Sequence, residues 1–417
     1  MNSERITRSG NFKKRPLWFS LLNGSWRATY FLGTKIKLDK DELIKAARKT
    51  TGLNDLGKDF SDEPLSNLLK SVNEEANLHP VGRFITRQRF ISLLSIRLRA
   101  EYFFRLYPEI LDPPLLPAWI IIGLQRTGTT KLQRLLAADP DHRVIPSWEV
   151  INPIPFISDQ KGEDKRIAIA KTSVNAVKLM SPGFFAIHPI DVYEPEEDIL
   201  LLDVSFLSTT PEAMMNVPSY AEWLEKTDQS AAYAYAVKLL KFMQWKKTAK
   251  RWVLKSPHHL EFPDLIEKNF EEVHFLWPHR RVYESIPSFL SMVTYNHMIF
   301  SDEVDERRIA GHWVRKTGYM LDKALDYRSK DNNESKFTDI YYEDLIKDSE
   351  KELSRIYSLA GGLTPSLTRR FVKHEEDHPH RKYGSHHYSL SDFGLTKDEI
   401  DKYTSRYKQF IQTHYDR

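Results

Sequence analysis

The run Ala118-Trp-Ile-Ile-Ile-Gly123 leads directly into Gly123-Leu-Gln-Arg-Thr-Gly128-Thr-Thr130, and Leu132, Leu135 and Leu136 then recur at helical spacing until Asp139-Pro140 stops the pattern. An apolar run with no polar alternation predicts a strand buried on both faces, which only a covered, mostly parallel sheet supplies. A short turn with two glycines between such a strand and a helix lets backbone N–H groups converge on an anion, and the helix N-terminus adds partial positive charge. The chain is therefore expected to build an α/β fold around an anion cradle.

Two further units repeat the theme. One begins at Arg251-Trp-Val-Leu254, the other at Val273-His-Phe-Leu-Trp277, with a helical pattern from Val282 to Met292. Together they predict a P-loop-type doubly wound parallel sheet flanked by helices. Residues 39 to 111 read as a helical prelude whose first helix is announced by Asp39-Lys-Asp-Glu42, the spacing of a capping box. The expected division is a mainly helical region, 1–112, packed on a domain of residues 113–417. That domain carries a helical insertion over the sheet edge at about 163–250 and a C-terminal closing segment at about 371–417.

At 417 residues, with 41% hydrophobic and 28% charged residues, the chain has ample material for a large core. A net charge of +4 leaves anion attraction to local clusters, and nucleic acid is not an inferred partner. No cysteine is present, so disulfides, thiolate metal sites and a cysteine nucleophile are excluded. A cytoplasmic protein fits, with no signal-peptide pattern and no apolar stretch long enough to span a bilayer.

Residues 12–37 mix Lys13, Lys14, Arg15, Arg27 and Lys35 with Leu17, Trp18, Phe19, Leu21, Leu22, Trp26, Tyr30 and Phe31. That pattern suits peripheral membrane contact, and equally a helix packed on its own protein. The histidines of the tail, His374, His378, His380, His386 and His387, match no closed set of metal ligands, and no metal is expected.

A nucleotide hydrolase loop reads GxxxxGK[ST], where the lysine bridges phosphates and the hydroxyl holds magnesium. Here Thr129 stands at the lysine position. The full run Gln125-Arg-Thr-Gly-Thr-Thr130 resembles the donor loop of the sulfotransferase family, in particular a bacterial group similar to tyrosylprotein sulfotransferases. Family members carry PRTGTT or PRSGTT, with proline where this chain has Gln125.

The resemblance implies that Arg126, Thr127, Gly128, Thr129 and Thr130 bind the 5′-phosphosulfate of 3′-phosphoadenosine 5′-phosphosulfate (PAPS). In the family an arginine and a serine eight residues later, within HRDPxxxxPS, bind the donor's 3′-phosphate. Arg280 and Ser288 keep that spacing, with Arg281 and Val282 in place of Asp-Pro. An arginine fork and a nearby hydroxyl suit a phosphate physically as well. The likeness extends through Val253-Leu-Lys-Ser-Pro257, Asp339 to Asp344 and His386 to Gly394, and implies that Arg381, Lys382 and Gly384 close over the 3′-phosphate.

Sulfuryl transfer to a hydroxyl needs in-line approach, a proton acceptor and positive charge at the departing oxygen. Lys255, at the end of its strand, suits the charge role beside Arg126. The family position after the loop helix implies Glu149 as base. His258 or His259 competes, because cytosolic small-molecule sulfotransferases carry a histidine two residues after the matching lysine, and either ring can instead cap a helix.

Arg134 is expected to face water. The run His188 to Asp198 reads either as an acceptor-side element or as a solvated loop. Trp148, Phe184, Phe185, Tyr193, Phe206 and Tyr295 suit an apolar pocket and equally a core. The expected acceptor is a hydroxyl or amine of a small molecule, lipid or sugar. The competing functions are a P-loop kinase or nucleotide hydrolase and a non-catalytic nucleotide-binding protein.

Overall fold

The computed structural model describes residues 16–30, 35–157, 164–245, 247, 249–330, 332–378 and 389–415. Four helices, α1 (Leu17–Thr29), α2 (Lys40–Thr51), α3 (Glu63–Glu74) and α4 (Pro80–Leu106), precede the sheet. The Asp39 carboxylate accepts the Glu42 N–H at 3.1 Å, the N-cap half of the expected box, and Gly52 in the left-handed region closes the same helix.

Five parallel strands follow: β1 (Ala118–Ile121), β2 (His142–Arg143), β3 (Arg251–Lys255), β4 (Val273–His279) and β5 (Phe337–Tyr341), in the order β2-β3-β1-β4-β5. The sequence reading of β1, β3 and β4 is reproduced, although β1 ends at Ile121, before Gly123. Both edge strands escaped that reading. The fold is the expected α/β class.

Strand residues alternate between two apolar layers. Ile120, Trp252, Leu254, Phe275 and Trp277 join the larger core, whereas Trp119, Ile121, Val253, Leu276 and Ile340 join a second cluster with Leu132, Leu135 and Leu136 of α5 (Thr129–Ala137). Both faces are thus covered, which is why the runs show no polar alternation. Leu43, Leu65 and Leu94 of the helical prelude belong to the larger core as well.

The 163–250 stretch is largely helical where described, including α7 (Lys165–Met180) and the helix Ser230–Gln244. That last helix does not hang over the sheet edge. Tyr233, Ala236 and Leu240 line one small cavity together with Ile120 and Leu254, so the helix covers the sheet's face.

In-register pairing sets what meets at the carboxyl ends. Ile121 lies opposite Lys255 on one side and Leu276 on the other. The glycine loop therefore emerges between the ends of β3 and β4, the place where open parallel sheets bind ligands. A Cβ on Gly123 would lie 2.7 Å from the Pro278 carbonyl oxygen of β4. Gly123→Ala is expected to cost about 2 kcal/mol of unfolding free energy, measured by urea titration; an unchanged midpoint would show that the loop does not need this close approach.

Candidate active site

At the tip of the loop Arg126 has φ of +69° and Gly128 has φ of +92°. Left-handed backbone is natural for glycine and unusual for arginine, so the chain spends local strain on the loop's shape. The buried Thr127 hydroxyl donates to the Leu124 carbonyl at 2.7 Å and braces the turn from within. Gly128 then caps α5, whose first N–H groups have no partner inside the helix.

The loop and the end of β4 are joined directly. Arg126 Nε donates to the Ser288 hydroxyl at 3.0 Å, and Arg280 Nη1 donates to the Arg126 carbonyl at 3.1 Å. Arg280 lies over the Tyr342 ring, 4.2 Å from its centroid, and its guanidinium also reaches Glu284 at 3.0 Å. Ser288 is carried by the helix Val282–Phe300. Residues 154 and 162 positions apart in the chain thus form one basic patch beside a helix N-terminus.

Lys255 closes the other side. It is 1% exposed, so an exposed strand-end lysine is ruled out. Its ammonium donates to Glu197 at 2.7 Å, and its backbone N–H donates to Asp198 at 2.9 Å. Asp198 also accepts from His259 Nε2 at 2.7 Å, while His259 Nδ1 meets the Tyr233 hydroxyl at 2.9 Å.

With this geometry in view, the comparisons with known proteins are consistent with one another. The model described as the sulfotransferase family matches residues 117–363, more than half of the chain. This chain belongs to the sulfotransferase family.

The crystal structure of sulfotransferase STF1 from Mycobacterium tuberculosis H37Rv is similar at 28% identity and a TM-score of 0.77, covering 89% of this chain and 100% of that one. STF9 from Mycobacterium avium gives 25%, 0.79, 90% and 97%. The omega-hydroxy-beta-dihydromenaquinone-9 sulfotransferase Stf3 of Mycobacterium tuberculosis (strain CDC 1551 / Oshkosh) is 23% identical over 317 residues, 72% of this chain and 76% of the relative. The protein is accordingly a sulfotransferase enzyme.

In this sulfotransferase Glu149 sits in the short helix α6 (Ser147–Ile151), 5% exposed, and accepts from the Arg143 guanidinium of β2. The helix is held by Ser147 N–H to the Glu194 carbonyl at 2.9 Å and Trp148 N–H to the Val192 carbonyl at 3.1 Å. The 188–198 run is therefore packed on α6, with Asp191 and Tyr193 within it exposed. Burial alone would raise Glu196, yet His188 and Lys255 bring its pKa down to about 2. Arg134 is half-buried and pairs with Glu194 at 3.2 Å.

His258 is placed differently from Glu149. Its ring is 1% exposed, with Nε2 at 3.0 Å from Gln229 Oε1 and Nδ1 at 3.3 Å from the Thr209 hydroxyl. Both nitrogens are thus engaged in the interior. Of the aromatic residues considered for a pocket, Phe206 packs on Phe90 in the core, whereas Tyr193 is exposed. Arg381, Lys382 and Gly384 lie outside the described residues, as do His380, His386 and His387. Among the described residues no group of acidic or histidine side chains is arranged to hold a metal.

Sequence patterns do not pair these groups with their partners. Arg143 and Gln229 lie outside the motifs, Glu197 lies in the His188–Asp198 run and Tyr342 in the Asp339–Asp344 stretch, and only the folded chain shows which group each one meets. One consequence concerns acid stability. Burial, with His259 and Lys316 nearby, pushes His258 well below the usual imidazole range, and burial pushes His297 down to about 4.

The unfolded chain takes up these protons first, so stability is full above about pH 6.5 and falls as pH drops toward 4. The contribution lost at His297 is about 2 kcal/mol at pH 5. His297→Gln, which keeps a donor for the Glu212 carbonyl, is expected to shrink the loss of stability between pH 7 and pH 5 by about that amount. Parallel pH profiles of variant and wild type in urea would contradict this.

Proposed function

We propose that this sulfotransferase takes its sulfuryl group from PAPS and passes it, in line, to a hydroxyl of an apolar, lipid-like acceptor. The observation that carries the donor reading is the contact of Arg126 with Ser288 and of Arg280 with the Arg126 carbonyl. A 5′-phosphosulfate cradle is thereby joined to a second anion site, as a donor with phosphate on both ends of its adenosine requires.

In this reading Arg126, Thr127, Gly128, Thr129 and Thr130 surround the 5′-phosphosulfate. Arg280 and Ser288 take the 3′-phosphate, with Arg381 and Lys382 supplied by the closing segment. Arg280 exchanges its partly exposed Glu284 partner for phosphate, a charge-assisted bond of the stronger kind. No metal is required, because Lys255 and the loop supply positive charge where the bond to the leaving phosphate oxygen breaks.

The acceptor oxygen attacks sulfur, the sulfur–oxygen bond to the 5′-phosphate breaks, and the hydroxyl proton passes to Glu149. Glu149 is preferred to His258 because both ring nitrogens of the histidine are already engaged. The lipid-like acceptor is supported by the relative named for an omega-hydroxy-dihydromenaquinone. A kinase or hydrolase reading has Thr129 against it, and a non-catalytic role is opposed by the joint presence of Lys255, Glu149 and the Arg280–Ser288 pair.

Adenosine 3′,5′-bisphosphate at a hundredfold excess over its Kd is expected to stabilise the protein by roughly 2.7 kcal/mol, read as a rise in Tm. ATP with magnesium is expected to do much less, and the reverse order would overturn the donor assignment. Glu149→Gln is expected to lower kcat by about 10² to 10⁴ while the bisphosphate-induced rise in Tm persists. Turnover close to wild type in that variant would remove Glu149 as base.

A further inference from the structure

The helix α1 is held to the protein by one stripe of side chains and, beside it, by the ion pair of Arg27 with Asp302 at 2.7 Å. Phe19 is 1% exposed and meets the His79 ring edge-on at 5.5 Å, the Asn23 side-chain oxygen accepts the Val81 N–H at 3.1 Å, and Trp26 meets Phe84 at 5.7 Å. These contacts recur every three to four residues and fix the helix against the start of α4. The opposite face is apolar and open. Leu17 is 83% exposed, Leu21 74% and Trp18 47%.

A soluble surface rarely leaves three large apolar side chains on one helical turn and a half uncovered. The charge of the flanking sequence is equally one-sided. From position 5 through position 38 the sequence holds eight basic residues and no acidic one, and Arg5, Arg8, Lys13, Lys14 and Arg15 all precede the helix. An apolar helical face next to a dense basic stretch is the combination that binds an anionic interface: the bases meet lipid phosphates and the apolar side chains enter below them. A tryptophan at the edge of the face suits the headgroup level.

A second copy of this chain fits less well. A two-fold contact through α1 would bring the same basic stretches together and repel. No described helix is long and apolar enough to cross a membrane, so contact would be along the surface.

We propose that α1 is a docking helix which lays Leu17, Trp18 and Leu21 into the headgroup layer of an anionic phospholipid bilayer. The basic residues on either side of the helix hold it there. Docking of this kind would bring the enzyme to the phase in which an apolar acceptor resides. The inference rests on the helix face and its charge and not on the donor, so vesicle binding and bisphosphate binding succeed or fail separately.

The test is cosedimentation of the full chain with vesicles of phosphatidylglycerol and phosphatidylcholine, against vesicles of phosphatidylcholine alone. Binding is expected to the mixed vesicles, falling by more than about tenfold on pure phosphatidylcholine and again at high salt. The double variant Leu17→Gln, Leu21→Gln alters only exposed positions and is expected to keep the wild-type Tm and its bisphosphate response. Its partitioning onto the mixed vesicles is expected to drop by more than about tenfold. The proposal is overturned if wild type ignores the mixed vesicles or if the double variant binds them as well as wild type does. It is also overturned if light scattering shows a dimer that the double substitution dissolves.

Discussion

The parallel pairing of β1 with β3 on one side and β4 on the other governs everything that happens at the carboxyl edge of this sheet. With Ile121 opposite Lys255 and Leu276, β1 and β3 end level while β4 runs three residues further, to His279. The first turns into the glycine loop, the second delivers Lys255, and the third delivers Arg280 one residue after β4 ends. Slipping any strand by one residue would exchange its inward and outward side chains, so the two buried apolar layers lock this register. The site is a consequence of core packing before it is a matter of chemistry.

Around that edge the protein collects more charge than the motifs announce. Glu197 holds the Lys255 ammonium, Asp198 bridges the Lys255 N–H and His259, and Arg143 holds Glu149. Buried ionic groups of this kind are costly unless paired. Each of these has its partner, so the geometry proposed for transfer is held without an orphaned charge among these groups. The exposed face of α1 is the opposite case, an apolar surface with no partner among the described residues, next in the sequence to a run of basic residues.

Much of this was legible in the sequence where local pattern and tertiary role coincide. β1, β3 and β4 are continuous apolar runs because they are covered on both faces, and Gly123 and Gly128 mark the loop because a close approach and a left-handed residue require them. β2 has only two residues, too few to leave a pattern. β5 carries Thr338 and Asp339, whose side chains serve His274, His279 and Arg328, so it did not read as a strand. The acidic run to Asp198 and the setting of Arg134 and His258 were open or misread because their partners lie dozens of residues away. Helical periodicity likewise announced the Ser230–Gln244 helix but not which surface it covers.

The central claim is that the joined patch of Arg126, Arg280 and Ser288 reads a phosphate at the 3′ end of the donor. Isothermal titration with adenosine 3′,5′-bisphosphate and with adenosine 5′-monophosphate tests it most directly, in wild type and in Arg280→Ala. Wild type is expected to prefer the bisphosphate by about 10- to 100-fold, and Arg280→Ala to lose that preference while keeping its affinity for the monophosphate. Equal affinities in wild type, or a preference that survives the loss of Arg280, would contradict it.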